Sequence, residues 1–167
     1  MRRLAACFLL AAWLLAGCGY HFPGGGAFPA GIESVHLKME GGDPPLRRAL
    51  ERQLRRDDRI TLEASASAAD AVLEITGGAV RSSAATLNPQ GVAEEYEVRL
   101  TAGYRLLLRG PEGEEAVAER SRLEASRTYP YGENLSPTAA EANRRRAAEQ
   151  AAGELAGEIL RSIREGF

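Results

Sequence analysis

Few side chains in this sequence are suited to covalent or metal chemistry, and Cys18 has the most distinctive setting among them. The 167-residue chain holds only two cysteines and two histidines. Neither Cys7 and Cys18 nor His21 and His36 have the spacing of zinc ligands. No nucleophile elbow, phosphate loop or metal-binding motif is present either. We therefore expect a protein that is not an enzyme, with no catalytic residue, no metal and no cofactor.

The residues that precede Cys18 predict export across a membrane, followed by acylation of its thiol. Two arginines follow Met1, and residues 4–16 carry no charge. This pattern is typical of an export signal and is too short to span a bilayer as a helix. The sequence Leu15-Ala16-Gly17-Cys18 resembles the bacterial lipobox, in which a peptidase cleaves before the cysteine and the cysteine is acylated. We expect residues 1–17 to be a lipoprotein signal peptide; an ordinary signal peptide that happens to contain a cysteine is the alternative.

The exported part of the chain predicts a lipid-anchored protein of the outer membrane. Removing residues 1–17, which hold two arginines and no acid, makes the formal net charge of −2 more negative, so no global basic field exists for nucleic acid. An acylated Cys18 would anchor the protein in outer-membrane lipid. Gly19 stands where an aspartate tends to retain lipoproteins in the inner membrane, which favours the periplasmic side of the outer membrane. Residues 18–31, rich in Gly and Pro, predict a flexible tether.

Hydrophobic periodicity predicts a single α+β domain over residues 32–167. Residues 32–39 alternate as a strand, and a helix follows Asp43, whose side chain we expect to cap it. Strict alternation across residues 96–108 and 115–129 predicts a long hairpin. Shorter alternating runs lie between the first helix and the hairpin, and a last helix follows the hairpin. The expected fold is a two-layer sandwich, with two helices packed on one face of a mostly antiparallel four-stranded sheet.

Details of three segments add to this prediction. The Gly77-Gly78 pair predicts a bulge within a strand. Ser136 before Pro137 predicts the start of the last helix, whose first half extends past the core. Arg144 and Arg145 lie in that half, where a ligand surface and a simple overhang into water are equally open interpretations.

The first helix carries an arginine-rich face that also has two interpretations. Arginines at positions 47, 48, 52, 55 and 56 accompany the apolar stripe of Leu46, Leu50 and Leu54. One interpretation is an anion-binding surface for lipid phosphates. The favoured interpretation is a solvated face with an ion pair between Glu51 and Arg55.

The order of short motifs along the chain resembles that of the lipopolysaccharide (LPS)-assembly lipoproteins of the LptE type. The matching pieces are Cys18-Gly19-Tyr20-His21-Phe22 after the lipobox, Asp43-Pro44 with the Leu46–Leu50 helix start, Ala93-Glu94-Glu95-Tyr96, Arg127-Thr128-Tyr129, and the helix from Ser136. Together they cover nearly the whole chain. The resemblance implies two helices on a four-stranded sheet and a non-enzymatic role.

The resemblance also implies partners and binding residues. Such a protein is expected to lie inside a large outer-membrane barrel of the LptD type, to help assemble and plug that barrel, and to bind LPS on its way to the surface. The family's proposed LPS contacts are a basic residue at the tip of the loop before the long strand and one near the start of the last helix. Here the tip, Leu87–Gly91, holds no basic residue and Arg81 is the nearest upstream, while Arg144 or Arg145 matches the helix position.

A different envelope lipoprotein is the main alternative function. An auxiliary lipoprotein of a phospholipid-transport ABC system would share the lipid anchor and the size of the domain. The level of surface LPS after depletion of the protein separates the two, because only the first function requires LPS to reach the surface.

Overall fold

Two helices and five strands form the part of the chain that the computed structural model describes, residues 28–110, 113–132 and 135–166. In chain order they are β1 (Ser34–Glu40), α1 (Pro44–Leu54), β2 (Thr61–Glu63), β3 (Ala71–Leu87), β4 (Ala93–Gly110), β5 (Gly113–Pro130) and α2 (Pro137–Glu165), with a short 3-10 turn at Ala66–Ala68. The two helices and the sheet confirm the predicted α+β class. The antiparallel pair β4 and β5 confirms the predicted long hairpin.

The sheet has five strands, so the prediction of four is wrong. Its order is β2-β1-β3-β4-β5, with β1 parallel to both neighbours and the β3–β4 and β4–β5 pairs antiparallel. The additional strand is β2, only three residues long, which pairs with β1 at the sheet edge. An amide hydrogen bond from Thr61 to the carbonyl of Glu33 (2.8 Å) begins this pairing. A run this short becomes a strand because a neighbouring edge is available, which periodicity alone does not reveal.

Both helices cover the same face of the sheet and run in the same direction. The buried side chains of β4 alternate along the strand from Val98 to Leu106, and those of α1 are Leu46, Ala49, Leu50 and Leu54, as predicted. All of them share one core with the buried side chains of α2, which begin at Ala147. Gln53 Nε2 donates to the carbonyl of Gly153 (2.7 Å) and joins the two helices. The first half of α2, before Ala147, has no buried residue, as expected.

A bulge in β3 fixes the start of α1. Gly77 and Gly78 both have φ of +82°, and the β3–β4 register shifts between Gly77 and Val80, which confirms the predicted bulge. Asp43 donates its amide to the carbonyl of Gly78 (3.1 Å), and its Oδ2 accepts from the amide of Val80 (2.5 Å). The prediction that the Asp43 side chain caps α1 is wrong, since it makes no capping hydrogen bond. The Asp43 side chain instead accepts a hydrogen bond from the Val80 amide, which the bulge removes from the hydrogen-bond ladder of the strands.

The face of the sheet opposite the helices, here called the open face, is charged and internally paired. Glu74 of β3 lies between two cations, with Lys38 Nζ at 2.8 Å from Oε1 and Arg105 Nη2 at 2.6 Å from Oε2. Hydrogen bonds from Lys38, and then from Arg105, hold the pKa of the Glu74 carboxyl below its usual value. The central strand pairs are therefore joined by ionised side chains as well as by the backbone.

This pairing predicts a dependence of stability on acid. Because the pKa of Glu74 is lower in the folded state, its contribution is complete above the unfolded pKa, about 4.3, and is lost as pH falls through the folded pKa. We expect the free energy of unfolding, measured by urea titration, to fall between about pH 5 and pH 3. Glu74→Gln should be less stable at neutral pH and should show a shallower fall. The control Glu149→Gln removes an exposed carboxylate of α2 that makes no ion pair within the described residues, and an equally shallow fall there would contradict the role of Glu74.

Candidate functional site

The two ends of the sheet differ in what covers them. The distal end comprises the β3–β4 turn at residues 87–93, the end of β5 and the start of α2. Because β1 pairs with β3 only as far as Thr76, neither β1 nor β2 reaches this end. The proximal end holds Phe28 and the C-terminal ends of both helices, which are joined by the Arg164–Asp57 ion pair (2.8 Å). The sheet is therefore narrower at the distal end, where only β3, β4 and β5 remain.

Exposed apolar side chains gather at the distal end. Leu87, Val92 and Tyr131 are 61%, 38% and 45% exposed, and they are the large hydrophobic residues most open to solvent in the described part of the chain. The ring of Tyr131 meets Tyr96 edge-on, with centroids 4.7 Å apart, and Tyr96 lies 6.0 Å from buried Tyr129. The contacts among these three rings hold Tyr131 in place, although part of its apolar surface is exposed to water.

The turn that carries Leu87 and Val92 is held by one side chain. Asn88 Oδ1 accepts from the amides of Gln90 (3.0 Å) and Val92 (2.9 Å), and the Asn88 amide donates to the carbonyl of Val92 (2.8 Å). Asparagine commonly closes turns in this way. The two apolar side chains are thus presented by a hydrogen-bonded turn.

Two cavities open at this end, on either side of Tyr131. A cavity of about 260 Å³ lies between Tyr129 and the first turns of α2, where it is lined by Glu141 and Arg144. A second, of about 400 Å³, lies toward the β3–β4 turn and is lined by Asn88 and Val92. Both are also lined by Tyr131, Gly132 and Leu135, so they form neighbouring parts of one concave surface.

Arg144 brings a cation to the rim of this surface, already bound to a carboxylate. Its Nε and Nη2 donate to the two oxygens of Glu141 at 2.8 and 2.9 Å. This bidentate contact lowers the pKa of Glu141 and raises that of Arg144. A guanidinium has five N–H donors, so donors remain on Arg144 for a second anion.

The three predicted LPS contacts do not lie together. Arg145 follows Arg144 on α2, is 69% exposed, and lies 4.0 Å from Glu141. Arg81 belongs to the open face: the neighbouring Ser82 meets the hydroxyl of buried Tyr129 (3.2 Å) on the helix face, and successive strand residues point to opposite faces. Arg81 therefore cannot contact the same phosphate as Arg144 and Arg145. Cys18, the predicted acylation site, lies outside the described residues, as do residues 1–17.

Sequence reasoning did not identify the apolar half of this surface. Tyr131 follows the hairpin directly, and Leu87 and Val92 flank a turn of otherwise polar residues. Apolar residues at the outer end of a hairpin, away from the predicted core, are a signal that could have indicated them. The contact of Glu141 with Arg144 was not identified from the sequence either, although their spacing of three residues on a helix is compatible with it.

The distal surface carries groups that can bind a ligand. Across residues 28–110, 113–132 and 135–166 no group of three His, Cys, Asp or Glu side chains could hold a metal ion. The helices in this same part of the chain are not long and apolar enough to cross a membrane. The distal end offers exposed apolar side chains, with Arg144 at the rim of the neighbouring cavity and Arg145 next to it in sequence, a combination that fits a ligand with anionic and hydrocarbon parts.

Three solved structures of bacterial lipoproteins share this fold. Lipoprotein B from Nitrosomonas europaea has a TM-score of 0.66 at 19% identity and covers 87% of this chain and 90% of that chain. Rare lipoprotein B from Shewanella oneidensis gives 0.58 at 19% identity, with 79% and 94% covered. A lipoprotein from Caulobacter crescentus gives 0.56 at 24% identity, with 78% and 88% covered. At these identities the likeness shows the fold alone.

Sequence comparison adds the family. None of the curated proteins compared with the chain matches it significantly. The family model LptE, described as lipopolysaccharide-assembly, matches residues 32–163, which include every helix and strand from β1 to most of α2. Its members are non-enzymatic lipoproteins. With most of its length matched to this model, the chain belongs to the LptE family of LPS-assembly lipoproteins.

Proposed function

We propose that this protein is an outer-membrane lipoprotein that plugs and helps assemble the LptD-type LPS-transport barrel and binds LPS during its delivery to the surface. The family match over residues 32–163 is the observation that carries the proposal. In this proposal residues 1–17 are removed as a signal peptide, Cys18 carries the acyl chains, and residues 18–31 tether a single domain, 32–167, on the periplasmic side. The anchor follows from the lipobox and from the stability of multiply acylated termini in membranes.

LPS binding belongs at the distal end, because that surface combines the two properties its ligand needs. The phosphates of LPS are dianionic groups that an arginine can contact with paired hydrogen bonds. Arg144 and Arg145 supply such contacts, and the exposed Leu87, Val92 and Tyr131 supply an apolar surface for acyl chains. Arg81 would meet LPS only on the open face, as a separate contact.

The charged open face of the sheet is compatible with a barrel as the partner. Outer-membrane barrels of roughly 22 strands enclose a lumen that a folded domain can plug. Such a lumen is hydrated and polar, and the open face of this sheet is charged, with ion pairs such as Arg105–Glu74 and Arg99–Glu97. A polar face of this kind can lie against a polar lumen wall without burying unpaired charge.

Co-purification from native membranes tests the proposal. We expect tagged protein, extracted in mild detergent, to recover an LPS-transport barrel, and depletion of the protein to lower surface LPS. Mass spectrometry of the native product should show acyl chains on Cys18. Cys18→Ser should lack this lipid and should lose the outer-membrane location. A protein that purifies alone, or depletion that alters phospholipid asymmetry while LPS stays normal, would favour the phospholipid-transport alternative instead.

A further inference from the structure

The outward face of α1 and the turn that follows it carry an arginine cluster, here called the arginine stripe: Arg48, Arg52, Arg55 and Arg56. All four are exposed. Arg48 and Arg52 lie one helical turn apart on α1, and Arg55, the helix C-cap, and Arg56 continue the spacing of three and four residues on the same side. The opposite side is buried in the core through Leu46, Leu50 and Leu54. The stripe is therefore directed away from the sheet and remains available to a partner.

The stripe is not neutralised within the described part of the chain. No carboxylate there lies within 4 Å of any of its four guanidinium groups, and the expected Glu51–Arg55 ion pair is not formed. Most arginines of the sheet differ, since Arg99, Arg105, Arg109, Arg122 and Arg127 each pair with a glutamate. Like charges at these spacings destabilise a helix, so an anionic partner would relieve a cost that the fold leaves in place.

The stripe lies in the half of the domain from which the chain leads to Cys18. Phe28 is buried at the proximal end, with its ring 5.7 Å from the guanidinium of Arg164. Arg164 in turn pairs with Asp57, just after the end of α1. From Phe28 back to Cys18 the chain spans at most about 35 Å when fully extended. An acyl group on Cys18 would thus keep α1 close to the membrane surface.

We propose that the arginine stripe rests on anionic phospholipid headgroups of the leaflet in which Cys18 is anchored. This inference rests on the acylation of Cys18 in the proposed function. Guanidinium groups bind phosphate oxygens in pairs, and basic residues beside an anchor gain from the negative potential of the membrane surface. The tether raises the effective concentration of headgroups at the stripe, so weak individual contacts suffice. A domain that enters its barrel by the distal end would keep this proximal half at the periplasmic mouth, beside the leaflet.

Vesicle binding by the mature chain, residues 18–167 with Cys18→Ser, tests the stripe without the acyl anchor and without the signal peptide. We expect stronger sedimentation with vesicles containing about 30% phosphatidylglycerol than with neutral phosphatidylcholine vesicles, and loss of that difference in about 0.5 M salt. R52Q/R55Q should lower the partition coefficient on anionic vesicles roughly 25-fold, since each basic residue near such a surface contributes about fivefold. R52K/R55K should retain most of the binding. The control R120Q/R122Q removes two charges from β5 and should change the coefficient less than about twofold.

Several outcomes would overturn the proposal. One is equal binding to neutral and anionic vesicles, and another is unchanged binding by R52Q/R55Q with an unchanged circular-dichroism spectrum. Displacement by inorganic phosphate at constant ionic strength would indicate a site for single phosphates rather than a membrane contact. A variant that keeps vesicle binding but no longer recovers the barrel would assign the stripe to a protein interface. Because the vesicle assay needs neither acylation nor LPS, its failure is distinguishable from failure of the proposed function.

Discussion

Reversing Arg144 and Arg145 to glutamate is expected to weaken LPS binding by about a hundredfold, because two charge-assisted contacts to phosphate are replaced by repulsion. Both side chains are partly or largely exposed on the half of α2 that lies outside the core, so the domain should remain folded. Equilibrium binding of purified LPS, together with circular dichroism of each variant, measures both expectations. R120E/R161E reverses the same number of charges elsewhere on the surface and should bind LPS nearly as well as the parent.

Glu141 should respond in the opposite direction. In the absence of ligand it occupies two donors of Arg144 and places a negative charge at the rim of the cavity. Glu141→Gln releases the guanidinium and removes that charge, so LPS should bind several times more tightly. If the double reversal leaves LPS binding unchanged with an intact spectrum, Arg144 and Arg145 do not belong to the site. A loss of binding in Glu141→Gln would mean that the carboxylate is needed to position Arg144.

Gly77→Ala is expected to lower the free energy of unfolding by about 3 kcal/mol. At a φ of +82° an added Cβ is disfavoured for any L-residue, and here it would also lie 2.8 Å from the backbone carbonyl oxygen of Thr101. That oxygen belongs to the neighbouring strand and cannot move without disturbing the β3–β4 ladder. Urea denaturation of parent and variant measures the loss.

Gly91→Ala is the matched control for this effect. Gly91 has nearly the same φ, +79°, but a Cβ there would meet no atom within 4 Å. Only the backbone cost of about 1–2 kcal/mol should therefore appear. Equal losses in the two variants would show that the contact with Thr101 contributes nothing, and that the bulge tolerates a side chain.

The positions of the long helices and strands can be predicted from the hydrophobic periodicity of the sequence. The face of the sheet to which each β3 side chain points cannot. Simple alternation from Leu73 and Ile75 would put Arg81 on the helix face. The bulge at Gly77-Gly78 shifts the phase, so that Val80 and Ser82 take that face and Arg81 turns to the open one. The glycines predict that a bulge exists, but its number of extra residues is set by packing against Asp43 and α1. Arg81 was grouped with Arg144 and Arg145 because it is the nearest basic residue upstream of the Leu87–Gly91 turn, and the structure places it on the opposite face.

The candidate site was predictable only in its charged half. Arg144 and Arg145 stand out because they precede the apolar stripe of α2, which begins at Ala147. Their part of the helix has no core to cover. The apolar half depends on where loops end in space, and Tyr131 joins Tyr96 only because the end of β5 is tied to β4 by the hydrogen bond from the Tyr131 amide to Glu94 (2.8 Å). The alternating run that contains β2 was recognised, but β2 was not counted among the four predicted strands, because it joins the sheet only through its pairing with β1.

Beyond the bulge, β3 is paired only with β4, so this half of the sheet is three strands wide and lacks the cover of α1. Cooperative units with fewer buried contacts open more readily than the rest of a domain. The distal ribbon can thus loosen and reclose while the proximal core stays intact. Ordering of that ribbon by a bound amphiphile would make capture and release of the ligand a local event, reversible without any cost to the global fold.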